Sequence, residues 1–255
     1  MAGASMPSYR RNGLRLHYDV EGSGEPVLLA HGMSGSGRAD WARLVDVLAS
    51  RYRCIVPDLR GHGSSEFAAA GFGYRAIRDD LVALVEHEQL EQVHLVGFSM
   101  GAECVLDVEL SYPGTAASLV LIGPCAGRPA DQPRVPAGQI RAPDHWPAEL
   151  RLPHEVRHGT QHWRTLVRLV SADWQHRPEV PPSRLARLAC PVLLVVGHGE
   201  LAFKRRQARI VAATAPEARL VEVPGDHPVH LQEPDLVNET IVGFLDEVNA
   251  GRHRP

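Results

Sequence analysis

One serine lies in a sequence context that could make it a nucleophile. The pentapeptide GFSMG at 97–101 follows the apolar run VHLV and precedes a segment with helical spacing. A G-x-S-x-G sequence between a strand and a helix is typical of a nucleophile elbow, a sharp turn that lifts the serine hydroxyl above a sheet. The helix beginning at Met100 would direct its backbone N–H groups, that of Met100 included, at an oxyanion. We predict that Ser99 is a catalytic nucleophile.

A serine nucleophile needs a base that takes up its proton. The segment at 223–234 is VPGDHPVHLQEP and offers His227 and His230. An imidazole titrates near neutrality, so it can accept the serine proton and later return it. We favour His227 because it directly follows the predicted turn, and His230 is its rival.

Three segments together resemble the α/β-hydrolase superfamily. They are VLLAHG at 27–32, PDLRGHGSS at 57–65 and GFSMG, and they occur in the order and at the spacing that this family uses. The resemblance covers almost the whole chain. It implies a mostly parallel, eight-stranded sheet flanked by helices, with a small inserted cap. The branch that it resembles most contains serine esterases, enol-lactonases and cofactor-free perhydrolases.

The same resemblance implies roles for the loops of the site. The Met33 backbone N–H would be a second oxyanion donor beside that of Met100, and Gly32 would lie against the substrate. The segment around His227 resembles the family's G-x-H-x-x-x-x-E-x-P region, with Asp226 inserted after the glycine. Four residues near these loops would act as structural supports. They are His31, Asp58, Arg60 and His62.

The acid of the triad departs from the family's pattern. Family members usually show an aspartate three residues after the glycine that ends PVLLVVG, and Glu200 occupies that position here. Glutamate can orient an imidazole as aspartate does, although its longer side chain approaches differently. Asp226 is a poor substitute because neighbouring side chains seldom meet productively. We therefore predict a triad of Ser99, His227 and Glu200.

The elements that position these residues follow from the hydrophobic pattern. Residues 8–20 are typical of a hairpin with its turn at 12–13, and short apolar runs then alternate with helical segments, which indicates parallel βαβ units. Residues 124–182 break the pattern and contain ten of the twenty prolines. We predict a core domain formed by residues 8–123 and 186–250. An inserted cap would span residues 124–185, and residues 1–7 and 251–255 would be flexible termini.

The predicted cap contains groups that could meet a substrate. Trp146 and Trp163 either line an apolar pocket or hold the cap onto the core. Residues 125–185 also contain nine arginines and five histidines against six acidic residues. That balance suits a substrate with a carboxylate or phosphate, and it equally suits a solvated surface.

The cap also carries the sequence HEVRH at 154–158, which matches the H-E-x-x-H motif of zinc hydrolases. Gly159 follows at once and weakens any continuous helix that would present His162 as a further ligand. A chain with 14 histidines produces this pattern by chance at an appreciable rate. We predict a polar cap helix at this position, and neither a metal nor a cofactor in the protein.

Composition narrows the classes of partner. The net charge of −3 argues against a nucleic-acid-binding protein, which would carry a basic face. No apolar run reaches the ~18 residues of a membrane span, and the first residues lack the apolar core of a signal peptide. We expect a cytoplasmic protein whose partner is a small-molecule substrate, with homodimer formation left open.

These features predict a two-step acyl transfer to water. Ser99 would attack an ester, thioester or lactone carbonyl, and water would release the acyl-enzyme. Three alternatives use the same fold: a hydrolase of a C–C bond, a biosynthetic cyclase or lyase that uses the same triad, and a non-catalytic ligand-binding protein.

Overall fold

The computed structural model describes residues 7–128, 142–177 and 179–252 of the chain. Its strands are β1 (Ser8–Arg11), β2 (Leu14–Glu21), β3 (Glu25–Ala30), β4 (Tyr52–Pro57), β5 (Val93–Phe98), β6 (Ala116–Ile122), β7 (Val192–Gly197) and β8 (Ala218–Val223). Its α-helices are α1 (Gly37–Leu48), α2 (Tyr74–His87), α3 (Met100–Ser111), α4 (Ala148–His158), α5 (Thr160–His176), α6 (Pro182–Leu185), α7 (Ala202–Thr214), α8 (Val229–Gln232) and α9 (Pro234–Arg252). A short 3-10 helix spans Pro143–His145.

The strands form one eight-stranded sheet in the order β1-β2-β4-β3-β5-β6-β7-β8. The pairs β1–β2 and β2–β4 are antiparallel, and every other neighbouring pair is parallel. Every residue of β5, β6 and β7 is buried, as expected for parallel strands covered on both faces. The predicted α/β-hydrolase sheet is therefore confirmed.

Helices cover both faces of this sheet and bury an apolar cluster on each. One cluster includes Leu84 of α2, Val105 of α3 and Val211 of α7. The other includes Trp41 of α1 and Ile241 of α9. Burial of these side chains fixes the sheet, so the loops at the carboxyl ends of its parallel strands meet along one edge.

The segment between β6 and β7 holds the 3-10 helix and α4 to α6. Gly159 separates α4 from α5, as the sequence indicated. Of the predicted cap, residues 129–141 and 178 lie outside the described residues, so its bounds stay a prediction. None of the described helices has the length and apolar character needed to cross a membrane.

The described residues extend into both of the predicted flexible termini. Of the predicted flexible termini, residues 1–6 and 253–255 lie outside the described residues. Helix α9 continues to Arg252, past residue 250 where we predicted the core to end. The predicted bounds of the core domain and of the termini stay predictions.

Candidate active site

The turn between β5 and α3 holds Ser99 in a strained backbone conformation. Its φ is 50° and its ψ −112°, an unusual combination for a residue with a side chain. Both flanking glycines are required by close backbone contacts. A Cβ at Gly97 would lie 2.6 Å from the Ala102 nitrogen, and a Cβ at Gly101 would lie 2.1 Å from the Ala30 carbonyl oxygen. The tight packing holds the serine at the top of the sheet.

The three residues of the predicted triad meet at this edge. The Oγ of Ser99 lies 2.8 Å from Nε2 of His227. On the other side of the ring, Nδ1 of His227 lies 2.5 Å from Oε2 of Glu200. The second carboxylate oxygen of Glu200 accepts a hydrogen bond of 2.8 Å from the Leu201 N–H. The geometry forms a continuous relay from the carboxylate to the hydroxyl.

Burial and hydrogen bonding set the charge states of this relay. Burial alone would raise the pKa of Glu200, but the hydrogen bond from His227 and the nearby Lys204 cation hold it below its usual value. Burial lowers the pKa of His227, and the Glu200 carboxylate opposes this only in part. At neutral pH the carboxylate is therefore ionised and the imidazole is neutral, which leaves Nε2 free to accept the serine proton.

The rival base, His230, occupies a different environment. It is 5% exposed and packs against the rings of Phe98 and Trp41, with centroids at 4.2 and 5.2 Å. Neither of its ring nitrogens has a hydrogen-bond partner among the described residues. Burial lowers its pKa to about 3. His230 is thus a packing residue behind the site, while His227 contacts the Ser99 hydroxyl.

The two predicted oxyanion donors lie on adjacent loops. A Cβ at Gly101, in the first turn of α3, would lie 2.6 Å from the His31 carbonyl oxygen, so α3 begins against the loop that carries Met33. Within the part of the chain that is described, neither the Met33 N–H nor the Met100 N–H is bonded to another residue. The Gly32 N–H instead donates to Asp40 at 2.8 Å and is not available to a substrate.

The supporting residues named from the sequence fix these loops from below. His62 places Nε2 2.8 Å from the Met33 carbonyl oxygen and so holds that peptide in place. His31 accepts a 3.0 Å hydrogen bond from the Leu59 N–H, and burial lowers its pKa to about 4. The other two supports are charged side chains. Asp58 accepts hydrogen bonds from the Gly37 and Ser64 N–H groups, and Arg60 forms a buried two-bond pair with Asp80.

The H-E-x-x-H sequence docks the cap instead of forming a ligand set. Each of its two histidines, and the one that follows in α5, places Nε2 near a backbone carbonyl oxygen of a core loop. The pairs are His154 with Ser34 at 3.1 Å, His158 with Gly63 at 2.9 Å and His162 with Gly61 at 2.7 Å. A carbonyl oxygen needs a donor, so these nitrogens carry protons and have no lone pair for a metal. Over residues 7–128, 142–177 and 179–252, no group of three His, Cys, Asp or Glu side chains is arranged to hold a metal ion.

The two tryptophans proposed as pocket residues pack within the cap. Trp163 is fully buried, and its indole N–H donates to the Pro143 carbonyl oxygen at 2.9 Å. Its ring lies edge-on to that of Trp146, with centroids 5.7 Å apart, and 5.0 Å from the ring of His154. These contacts favour the structural alternative for Trp163, in which it holds the cap helices together.

One residue at the centre of the site was missed by the sequence analysis. Lys204, in the first turn of α7, is 9% exposed and directs its ammonium at the triad. Its Nζ lies 3.5 Å from Nε2 of His227 and donates to the Gly123 carbonyl oxygen at 3.2 Å. The sequence does contain one signal, because Lys204 is the single lysine of the chain and every other strongly basic residue is arginine.

Comparison with known proteins agrees with this architecture. The family model described as alpha/beta hydrolase fold matches residues 25–174. Serine hydrolase BPHL of Mus musculus is 29% identical over 249 residues, which cover 92% of this chain and 84% of that protein. The crystal structure of the enol-lactonase from Burkholderia xenovorans LB400 covers 94% of this chain and 100% of its own, with a TM-score of 0.79 and 21% identity. A thermophilic esterase from Thermogutta terrifontis covers 95% and 97%, with a TM-score of 0.77 and 25% identity.

Proposed function

The chain belongs to the α/β-hydrolase fold family, and on that premise we propose that it is a serine hydrolase. It would cleave an ester, thioester or lactone of a small molecule through an acyl-enzyme on Ser99. The observation that carries the proposal is the hydrogen-bonded relay from Glu200 through His227 to the hydroxyl. The name of the mouse relative, a serine hydrolase, supports the same class.

In the first half-reaction, His227 accepts the hydroxyl proton at Nε2 while Ser99 Oγ attacks the substrate carbonyl. The Nδ1–H remains on the imidazole and donates to Glu200, which stabilises the imidazolium that forms. The carbonyl oxygen becomes an oxyanion, which the N–H groups of Met33 and Met100 would bind. The imidazolium then gives its proton to the leaving group, and the acyl-enzyme remains.

In the second half-reaction, His227 removes a proton from water, which attacks the acyl-enzyme carbonyl. The same oxyanion donors stabilise the second tetrahedral intermediate, and the proton returns to Ser99 as the acid leaves. No step requires a metal or a cofactor. The proton transfers between Ser99 and His227 follow a hydrogen bond that is already in place, and Glu200 already contacts the other side of the ring.

The proposal is tested by mixing the enzyme with para-nitrophenyl acetate and following nitrophenolate release and protein mass together. We expect multiple turnover, with one acetyl group found on Ser99 after rapid acid quenching. Ser99→Ala should abolish both, and His227→Ala should slow both. Multiple turnover with no adduct would favour direct attack by water. Neither turnover nor adduct would favour the cyclase, lyase or ligand-binding alternatives.

A further inference from the structure

Lys204 brings a positive charge to the reaction centre that the proposed acyl transfer does not use. We propose that its ammonium binds a carboxylate on the substrate, next to the scissile bond, so that the enzyme prefers anionic acyl compounds over neutral ones. The inference rests on the proposed function, because it assigns a substrate class to the same site.

The positive charge of Lys204 lies in a largely dehydrated environment. Lys204 is 9% exposed, so its ammonium has lost most of its hydration. An ammonium has three protons to donate, yet its contacts among the described residues are a carbonyl oxygen, that of Gly123, and the imidazole of His227. Since burying an unpaired charge is costly, a site that keeps one is suited to an anionic ligand.

The carboxylates near Lys204 already face other partners. The charge of Lys204 acts on both Glu103 and Glu200. It opposes the burial that raises the pKa of Glu103 to about 7, and it helps to hold the pKa of Glu200 below its usual value. Glu200, however, is bonded to His227 and to the Leu201 N–H. Glu103 faces the guanidinium of Arg177 at 3.6 Å. No carboxylate of the described residues lies within ion-pair distance of the Lys204 ammonium, so its partner is not supplied by that part of the chain.

Lys204 also lies close to the serine hydroxyl. The Lys204 ammonium and the Ser99 hydroxyl both lie against the same nitrogen, Nε2 of His227. They are therefore separated by no more than two hydrogen-bond lengths. A carboxylate bound to Lys204 would thus lie within two or three bonds of the carbonyl that Ser99 attacks. It would lie on the β6 and β7 side of the nucleophile, whereas the Met33 loop follows β3 on the other side.

A bound carboxylate would also act on the base. The positive charge of Lys204 disfavours protonation of His227, and a substrate anion paired with Lys204 would offset that effect. The anionic substrate would then strengthen the base at the moment it is needed. With a neutral substrate, the Lys204 ammonium would repel the imidazolium that forms on His227.

The test measures how small ligands protect Ser99 from labelling by a neutral fluorophosphonate. Two matched pairs place a carboxylate or its neutral amide on either side of an ester: acetoxyacetate with acetoxyacetamide, and monoethyl malonate with ethyl malonamate. The proteins are wild type, Lys204→Met, and Arg205→Met as the control. Arg205 lies in the same helical turn but bonds to Glu222 outside the site.

We expect the wild type and Arg205→Met to prefer the carboxylate in at least one pair by about tenfold to a hundredfold, the worth of a charged hydrogen bond. Lys204→Met should lose that preference while still being labelled. The pair that shows the effect identifies whether the carboxylate lies in the alcohol or the acyl part. No preference in the wild type, or an equal preference in Lys204→Met, would overturn the proposal. Failure of the fluorophosphonate to label the wild type would instead overturn the proposed function.

Discussion

Replacing Glu200 by glutamine should disable the base without emptying its site. In the wild type, one carboxylate oxygen accepts from the Leu201 N–H at 2.8 Å and the other faces Nδ1 of His227 at 2.5 Å. A glutamine keeps its single oxygen on the Leu201 N–H, so its NH2 group faces Nδ1. The imidazole must then carry its proton on Nε2, where it can no longer accept the proton of Ser99.

The expected loss of kcat is large, because the wrong tautomer of His227 blocks proton transfer from Ser99. In a serine hydrolase, this error lowers kcat by about ten-thousand-fold. That factor corresponds to about 5 kcal/mol of lost transition-state stabilisation. Glu200→Asp keeps the charge but draws the carboxylate back, and a displacement of about 1 Å costs about a hundredfold. The order of activity should therefore be wild type, then Glu200→Asp, then Glu200→Gln.

The assay is kcat/KM for para-nitrophenyl acetate, with thermal unfolding used to show that each variant is folded. Asp226→Asn is the matched control, because Asp226 adjoins His227 in sequence but is exposed. It should retain activity within a factor of about three. The reasoning would be refuted by a folded Glu200→Gln variant that stays within tenfold of the wild type. A loss confined to Asp226→Asn would place the acid there instead.

Three further predictions follow from the charges in and behind the site. Lys204→Met removes a cation beside His227, so the pKa of His227 should rise. The acidic limb of the plot of kcat/KM against pH should then move to higher pH. An acidic limb that stays in place would show that the Lys204 charge does not act on His227. Folded His230 has a pKa of about 3 against 6.5 when exposed, so the wild type loses stability as pH falls below 6.5. The His230→Phe variant has no imidazole to titrate, so it should not lose stability in this way. Its free energy of unfolding in urea, relative to that of the wild type, should increase by about 2 kcal/mol between about pH 7.5 and about pH 5. A difference that does not change with pH would contradict this prediction. His158→Ala removes the hydrogen bond to the Gly63 carbonyl oxygen, so it should lower the melting temperature. Metal chelators should leave the activity unchanged. A loss of activity on adding a chelator would favour a zinc site.

Much of the fold could be predicted because burial imposes a simple pattern on sequence. The continuous apolar run VLLVVG gives β7, and the spacing of Trp41 with Leu44, Val45 and Leu48 gives the buried face of α1. The elbow at Ser99 was predictable for a similar reason, since Gly97 and Gly101 have no alternative in that packing. Local rules are reliable where backbone contacts leave one solution.

The parts of the site that sequence left open depend on where side chains point. Glu200 was assigned by its position after β7, and its hydrogen bond to His227 required the structure. Lys204 follows within the first turn of α7, where a basic residue is ordinarily solvated, and nothing in its spacing indicates that it turns inward. The H-E-x-x-H pattern matches a zinc site although Nε2 of each of its histidines donates to a backbone carbonyl oxygen, because a pattern does not show which ring nitrogens carry a proton.

The central claim is that the Glu200–His227 pair activates Ser99. Intact-mass spectrometry after treatment with a fluorophosphonate tests it most directly, with Ser99→Ala treated in parallel. The account predicts one adduct on the wild type, none on Ser99→Ala, and slow labelling of Glu200→Gln. A folded wild type that takes up no adduct, or an adduct that persists on Ser99→Ala, would contradict it.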